Sequence, residues 1–427
     1  MKLFNKYLGL LRLYLIDLLA GIAISKALSE LTIQQYFSKE TLHKIQQDKF
    51  QRLFNIAKSS TEFYRNTTTY SELPILTKEM VRSNFNNFIS NIYNKRLYTK
   101  ATGGSTGKSL VYYSTAKSRS YLWAGIMLSW MVAGYEKGDK IAILAGSALI
   151  DVKSGFKRRV FYKLFNVDTY SAYHLDEQNM RLYIEKLINT KVKIIYGYAT
   201  VLDRLATFIN TKYASSFPDL KGIVSTAEIF TESMRNNIEE AFNVSVFNQY
   251  GCNEAGVSAF ECEYHKLHLI NTRSYFEVDN EGSLISTDLS NEGFIMIKYL
   301  TGDQVEMSEE INCICGRHFP IINKVIGRIN DMIIDTDQNI IHGSFFHFLF
   351  RNDNSIKQFQ VQFDQKTINV FLNVDLTIHD KNYYNRYLDE VKRNLKFNHY
   401  NLFINSSFLS SNNAKHRHII NTTEPVL

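Results

Sequence analysis

Proline is scarce, four residues among 427, and nowhere do Pro, Gly and Ser gather as they do in a flexible linker or a low-complexity tail. With abundant Asn, Lys, Ile and Tyr, that scarcity reflects an AT-rich genome rather than a function. Internal repeats are absent as well. Cysteine is equally sparse: Cys252, Cys262, Cys313 and Cys315 all fall in one region, the last two a single residue apart. That spacing suits a metal or a turn better than a disulfide framework. Charge is not concentrated in a stripe. The formal net charge is +7 with Lys and Arg scattered, which speaks against a nucleic-acid partner, while a mild positive field suits an anionic nucleotide.

Long uninterrupted apolar runs are missing too. Leu3 to Leu28 is rich in Leu and Ile, but Arg12 and Asp17 interrupt it short of the length a spanning helix needs, and no small-residue cleavage site follows. An amphipathic helix is expected over residues 1–30, packed on the main domain, with peripheral contact at the inner face of a membrane as the alternative. With no secretory signal evident, a reducing cytoplasm is the expected location.

What is present supports real cores. Hydrophobic residues make up 45% and aromatics 13%, too apolar for disorder, and the length exceeds one ordinary core. Residues 30–95 read as mostly helical, with Phe50, Leu53, Phe54 and Ile56 on one face and a helix start at Thr77. Strand and helix then alternate. Leu110–Tyr113 reads as a strand, Ser118–Gly134 as an apolar helix, and Ile141–Leu144, Lys193–Gly197, Gly222–Thr226 and Val244–Phe247 as short buried strands, the last leading to a glycine turn at Tyr250-Gly251.

From about residue 260, short strands at 267–271, 274–278, 283–287 and 294–299 give a more antiparallel subdomain. A small α+β domain follows, with strands at 359–363 and 368–374 and a helix through 383–395. The expected class is α/β, with domains at 31–329 and 330–427.

The most glycine- and hydroxyl-rich run is Thr99-Lys100-Ala101-Thr102-Gly103-Gly104-Ser105-Thr106-Gly107-Lys108-Ser109. Three glycines let backbone N–H groups turn inward around an anion, and Thr102, Ser105 and Thr106 add hydroxyl donors. A Walker A loop needs a glycine five places before Gly107, and Thr102 stands there. Such clusters are by default solvent loops, so the rest of the chain must decide.

Four short motifs follow in order: Gln249-Tyr250-Gly251-Cys252-Asn253-Glu254, Thr301-Gly302-Asp303, Gly327-Arg328-Ile329-Asn330-Asp331 and Ala414-Lys415-His416-Arg417. With the loop, they resemble the core motifs of the acyl-adenylate-forming superfamily. The segments Glu261–His268 and Asn312–Arg317 resemble the cysteine-bearing pieces of its phenylacetate–CoA ligase-like and CapK-like branch, which includes proteins of capsular polysaccharide biosynthesis. The resemblance runs from about residue 70 onward.

It implies a large adenylate-forming domain and a small mobile C-terminal domain. Thr102, Gly103, Gly104, Ser105, Thr106, Gly107 and Lys108 would hold the phosphates of ATP. Glu254 would ligate Mg²⁺, a hard cation that prefers oxygen. Tyr250 would lie near the adenine beside Gly251, Cys252 and Asn253, and Ala227 and Glu228 would line the cofactor and acyl pocket. Asp303 would accept from both ribose hydroxyls, Arg328 would reach the ribose and phosphate side, and Lys415 would be the catalytic cation of adenylate formation.

Two departures from the pattern are Asn253, where the family carries a hydroxyl residue, and Asn330, where it carries the hinge aspartate. Cys262, Cys313 and Cys315 with a nearby histidine make a donor set for a structural zinc. His265 and His268 are both candidates, and the family's Leu-His step favours His268.

The implied activity is ATP-dependent activation of a carboxylic acid, with AMP and pyrophosphate released, then acyl transfer to a thiol such as CoA or to an amine. The alternative is a catalytically silent nucleotide-binding scaffold in a polysaccharide-assembly complex.

Overall fold

The computed structural model describes every residue except 1, 103–109, 146–155, 172–174, 176, 229, 311, 329–331, 338–339, 343, 351–352, 354, 409–418 and 424–427. Three helices lead: α1 (Lys2–Ala20), α2 (Ile24–Gln34) and α3 (Lys39–Ser60). The single N-terminal helix expected from sequence is therefore two. Gly21 takes φ +63, a conformation glycine adopts without steric cost. Asp17 then caps α2, its carboxylate accepting from Ile24 N at 2.6 Å and Ser25 N at 3.0 Å. The charge that interrupts the apolar run thus starts the next helix.

Ile24, Leu28 and Leu31 of α2 join Leu13 and Ile16 of α1 in a core with Met127, Trp130 and Ile143. On α3, capped by Ser38, the buried face is Leu42, Gln46, Phe50, Leu53, Phe54 and Ala57. A short helix α4 (Lys78–Ser83) starts at the expected cap Thr77, whose side chain accepts from Met80 N.

Strands β1 (Tyr98–Ala101) and β2 (Val111–Ser114) pair antiparallel, and helix α5 (Ala116–Val132) follows from an N-cap at Thr115. Then come β3 (Ile141–Ala145), α6 (Phe156–Leu164), β4 (Val167–Ser171), α7 (Glu177–Asn189), β5 (Ile194–Tyr198), α8 (Ala199–Lys212), β6 (Gly222–Thr226), α9 (Glu232–Phe242) and β7 (Val246–Cys252). Strands β4, β3, β5, β6 and β7 pair in parallel, in that spatial order. All residues of β3 and β6 are buried, as strands covered on both faces by helices must be.

Beyond β7 lie β8 (Val257–Glu261), β9 (Leu267–Leu269), β10 (Ser274–Val278), β11 (Ser283–Asp288), β12 (Tyr299–Met307) and β13 (Ile321–Arg328). They extend the same sheet, giving eleven strands in the order β10-β11-β12-β13-β9-β8-β7-β6-β5-β3-β4. The antiparallel region is continuous with the parallel one. Of the run 294–299, expected as a strand, only Tyr299 belongs to one, as the first residue of β12. Phe294 makes an isolated bridge to Ile89, Ile295 N donates to Phe88 O, and Lys298 turns to φ +59. Its residues are apolar because they are buried, but their backbone partners lie in the segment after α3.

The C-terminal part holds β14 (Met332–Ile334), β15 (Ile340–His342), α10 (Ser344–Phe350), β16 (Ile356–Phe363), β17 (Thr367–Val374), α11 (Asn385–Asn394), β18 (His399–Ile404) and β19 (Ile419–Asn421). A four-stranded sheet, β18-β17-β16-β19, packs its own core around Phe346, Phe350, Val361, Val370 and Val391. The chain divides into two compact units: residues 1–101, 111–301 and 305–325, and residues 102–110, 302–304 and 326–427.

Candidate active site and metal centre

The parallel strands end where ligands of α/β sheets bind. β6 and β7 pair through Thr226↔Gln249, and their side chains make a buried polar knot. Gln249 Oε1 accepts from Thr226 Oγ1 at 2.5 Å and from Tyr196 OH of β5 at 2.9 Å. Just past β6, Ala227 sits at φ +65, a left-handed conformation costly for a residue with a Cβ and concentrated at functional sites.

Glu228 follows, exposed. Its carboxylate accepts from Thr200 N at 2.8 Å and Thr200 Oγ1 at 2.7 Å, capping the first turn of α8, whose N-cap Tyr198 supplies no side-chain bond. Surrounding protein atoms raise its pKa, opposed by the Thr200 hydrogen bonds. Sequence reading missed Thr200, because a cap contributed by another strand leaves no local signal.

The expected glycine turn at Tyr250-Gly251 is displaced. Tyr250, Gly251 and Cys252 all belong to β7 and pair with Ala259, Ser258 and Val257 of β8. The turn comes later, over residues 253–256, where Ala255 N donates to Cys252 O and Gly256 N to Asn253 O, with Gly256 at φ +70. A Cβ there would lie 2.6 Å from Asp288 Cα, so Gly256 is the required residue.

Within this turn Asn253 is exposed and Glu254 buried, while Tyr250 is half-buried, Gly251 exposed and Cys252 buried. Tyr112, buried nearby, has its pKa pushed far up by burial and then by the charges of Glu254, Cys252 and Asp288. Fully buried Arg273 bonds Ser258 Oγ. Asp288 accepts from Ser118 Oγ at 2.6 Å and Ser290 N at 2.8 Å. These buried polar groups behind the Glu254 turn carry no motif and went unread in the sequence.

Thr102 is buried, its N donating to Leu110 O at 2.9 Å and its Oγ1 accepting from Leu110 N at 3.0 Å. These two bonds join the residues on either side of 103–109. Asp303 is buried on β12 after Gly302 at φ +81. Arg328 ends β13. Gly103, Gly104, Ser105, Thr106, Gly107, Lys108, Asn330, Asp331 and Lys415 lie outside the described residues.

Cys262, His268, Cys313 and Cys315 come together, their donor atoms all within 4.8 Å of one another. Cys262 Sγ lies 3.7 Å from Cys313 Sγ, and Cys315 Sγ lies 3.4 Å from His268 Nε2. Cys262, Cys313 and Cys315 form no disulfide. Two turns present them: His265 N donates to Cys262 O with His265 at φ +56, and Gly316 N donates to Cys313 O with Gly316 at φ +76.

His268 Nδ1 is 3.1 Å from Phe319 O. A carbonyl only accepts, so Nδ1 carries the hydrogen and Nε2 turns its lone pair to the thiols, the outer-shell arrangement of metal-binding histidines. Burial keeps His268 below its usual pKa, hence neutral. Burial pushes the Cys262 thiol up to about 12 and also raises Cys313. Cys315 is lowered: burial opposes ionisation, but the Arg317 backbone N–H and guanidinium outweigh it.

Arg317 clamps the two turns, its guanidinium on both oxygens of Glu263 at 2.5 and 2.9 Å and its Nε on Gln35 Oε1 at 2.8 Å. His265 is elsewhere, with Nδ1 3.0 Å from Arg235 and 3.3 Å from Glu261.

No family model matches the chain. Protein CapK of Staphylococcus aureus is 30% identical over 380 residues, 83% of each chain. The phenylacetate-coenzyme A ligase of Thermus thermophilus is 31% identical over 137 residues, 28% of this chain and 30% of its own. Among solved structures, a 2-hydroxyisobutyryl-CoA ligase in the postadenylation state, bound to an acyl-adenylate, matches 91% of both chains at 16% identity and a TM-score of 0.65. The same ligase has been solved with its adenylate and CoA in the thioesterification state, with a TM-score of 0.58. The sheet, the motif-bearing turns and this relationship across most of the length lead to one conclusion: the chain belongs to the CapK-like branch of the acyl-adenylate-forming superfamily.

Proposed function

We propose that the protein activates a carboxylic acid with ATP and passes the acyl group to a thiol of the CoA kind. The observation that carries this reading is the buried Glu254 in a turn that only glycine at 256 can close, in a chain that matches an adenylate-bound ligase along nine-tenths of its length. In the first step a carboxylate oxygen of the acid attacks the α-phosphorus of ATP. The bond from that phosphorus to the bridging oxygen breaks, and pyrophosphate leaves. In the second, a thiolate attacks the acyl carbon and AMP departs with the electron pair of the C–O bond.

Residues 102–108 would hold the phosphates through N–H groups and hydroxyls. Lys415 would bring positive charge to the α-phosphate oxygens as charge shifts there. Asp303 would fix the ribose, Arg328 the ribose and phosphate side, and Tyr250 would lie against the adenine. Ala227 and Glu228, with the Tyr196–Gln249 knot, would line the acyl end. Glu254 suits Mg²⁺, being a buried carboxylate that phosphate oxygens would complement; the ion would offset phosphate charge.

Three sulfurs and one imidazole nitrogen within mutual reach suit Zn²⁺ in a closed structural site rather than a catalytic one. An amine acceptor, and a role in surface-polysaccharide assembly, belong to the same proposal as its finer parts. The test is AMP release across a panel of carboxylic acids, with CoA and with amines as acceptors. AMP formed only with acid present supports the reading, and none with any acid overturns it.

A further inference from the structure

Helix α1 has two unlike faces. One is buried: Leu13 and Ile16 enter the core, and Gly9 lies so close to Lys137 that a Cβ would fall on its carbonyl. The other carries Tyr7, Leu11, Tyr14, Leu15, Leu18 and Leu19, all exposed, Leu18 by 78%. Tyr7, Leu11, Tyr14 and Leu18 follow one another at spacings of four, three and four, which places them in one stripe. Six of the nineteen exposed large apolar side chains among the described residues lie on this one helix. Scattered exposed apolar residues need no explanation, but a contiguous patch does.

The charge carried by α1 and its neighbour α6 is mostly of one sign, although Glu136 and Asp139 flank the segment that Gly9 touches. α1 carries Lys2, Lys6 and Arg12 against a single acid, Asp17, and Asp17 is engaged in capping α2. Helix α6, which packs against α1, reads Phe-Lys-Arg-Arg-Val-Phe-Tyr-Lys-Leu, four basic residues and no acid. Its Arg159 and Lys163 are exposed and one turn apart. The two helices together hold a net charge of +6, against +7 for all 427 residues. Most of the chain's basic excess is thus carried by these two packed helices, one of which bears the apolar stripe.

We propose that α1 and α6 dock the protein on an anionic phospholipid surface. α1 would lie in the plane of the interface with Leu11 and Leu18 among the acyl chains, and α6 would sit at headgroup level. An exposed apolar helix face flanked by Lys and Arg binds in this way, and each basic side chain near an anionic surface adds attraction. Among the described residues no helix is long and apolar enough to cross a membrane, which suits a helix lying along one. A second copy fits the same face poorly, since a two-fold pairing would set the two basic clusters against each other.

The experiment is co-sedimentation of the full chain with vesicles of phosphatidylcholine alone and with about one-third phosphatidylglycerol. Binding is expected only to the anionic vesicles and should weaken as salt rises. The pairs Leu11→Glu with Leu18→Glu and Arg159→Glu with Lys163→Glu should each reduce it about tenfold or more. All four residues are exposed, so thermal midpoints should not move; if the leucine pair shifts the midpoint, the α6 pair decides. Equal binding to both vesicle types, binding to neither, or a wild-type dimer that Leu18→Glu dissociates without any vesicle binding would each overturn the proposal.

Discussion

Glu254 sits buried in a turn whose geometry is set two residues later. Glu254→Gln keeps the volume and removes the charge, so adenylate formation should fall by about 100-fold or more with the fold intact. The check is pyrophosphate exchange alongside a thermal midpoint. Gly256→Ala acts on the same turn through the backbone: a left-handed φ and a Cβ 2.6 Å from Asp288 Cα should cost about 3 kcal/mol or more, read from denaturant midpoints. At the cysteine cluster, His268→Ala and Cys313→Ser should each lower bound zinc per chain, measured by elemental analysis, and lower the thermal midpoint. A strong chelator should do the same to the wild type and do nothing further to the variants. His265→Ala should leave the metal content unchanged.

Elements were legible where burial is uniform and hidden where it is not. The parallel strands β3, β5 and β6 read as apolar runs because helices cover both faces. Residues 294–298 read the same way for the same reason, yet Phe294 bridges to Ile89 and Lys298 O accepts from Leu76 N instead of joining a sheet neighbour. Apolarity reports burial and not the identity of the backbone partner. The N-terminal helix was legible as amphipathic, but its division required knowing that Asp17 reaches forward to Ile24. Asp17→Ala should cost about 1 kcal/mol by exposing the start of α2, measured by thermal unfolding.

For the molecule as a whole, local spacing exposed the candidate site and long-range pairing concealed its supports. Cys313-x-Cys315 with Cys262 points to a cluster from spacing alone. The Arg317 clamp on Gln35 spans 282 residues of sequence, and no local pattern foretells it. The adenylate motifs were found by order and resemblance, whereas Arg273 and Asp288 behind Glu254 were invisible because they sit on unremarkable strands. Residues 329–331, outside the described set, lie between β13 and β14. The resemblance proposes a hinge there, so Asn330→Pro or Asp331→Pro should impair acyl transfer more than adenylation, measured as separate half-reactions.

The most direct measurement of the central claim is acid-dependent ATP–pyrophosphate exchange by the wild type and by Lys415→Ala, run across a broad panel of carboxylic acids. At least one acid should drive exchange, and the lysine variant should lose about 100-fold or more of it. ATP binding by calorimetry with no exchange for any acid, or exchange undiminished in Lys415→Ala, would contradict the account.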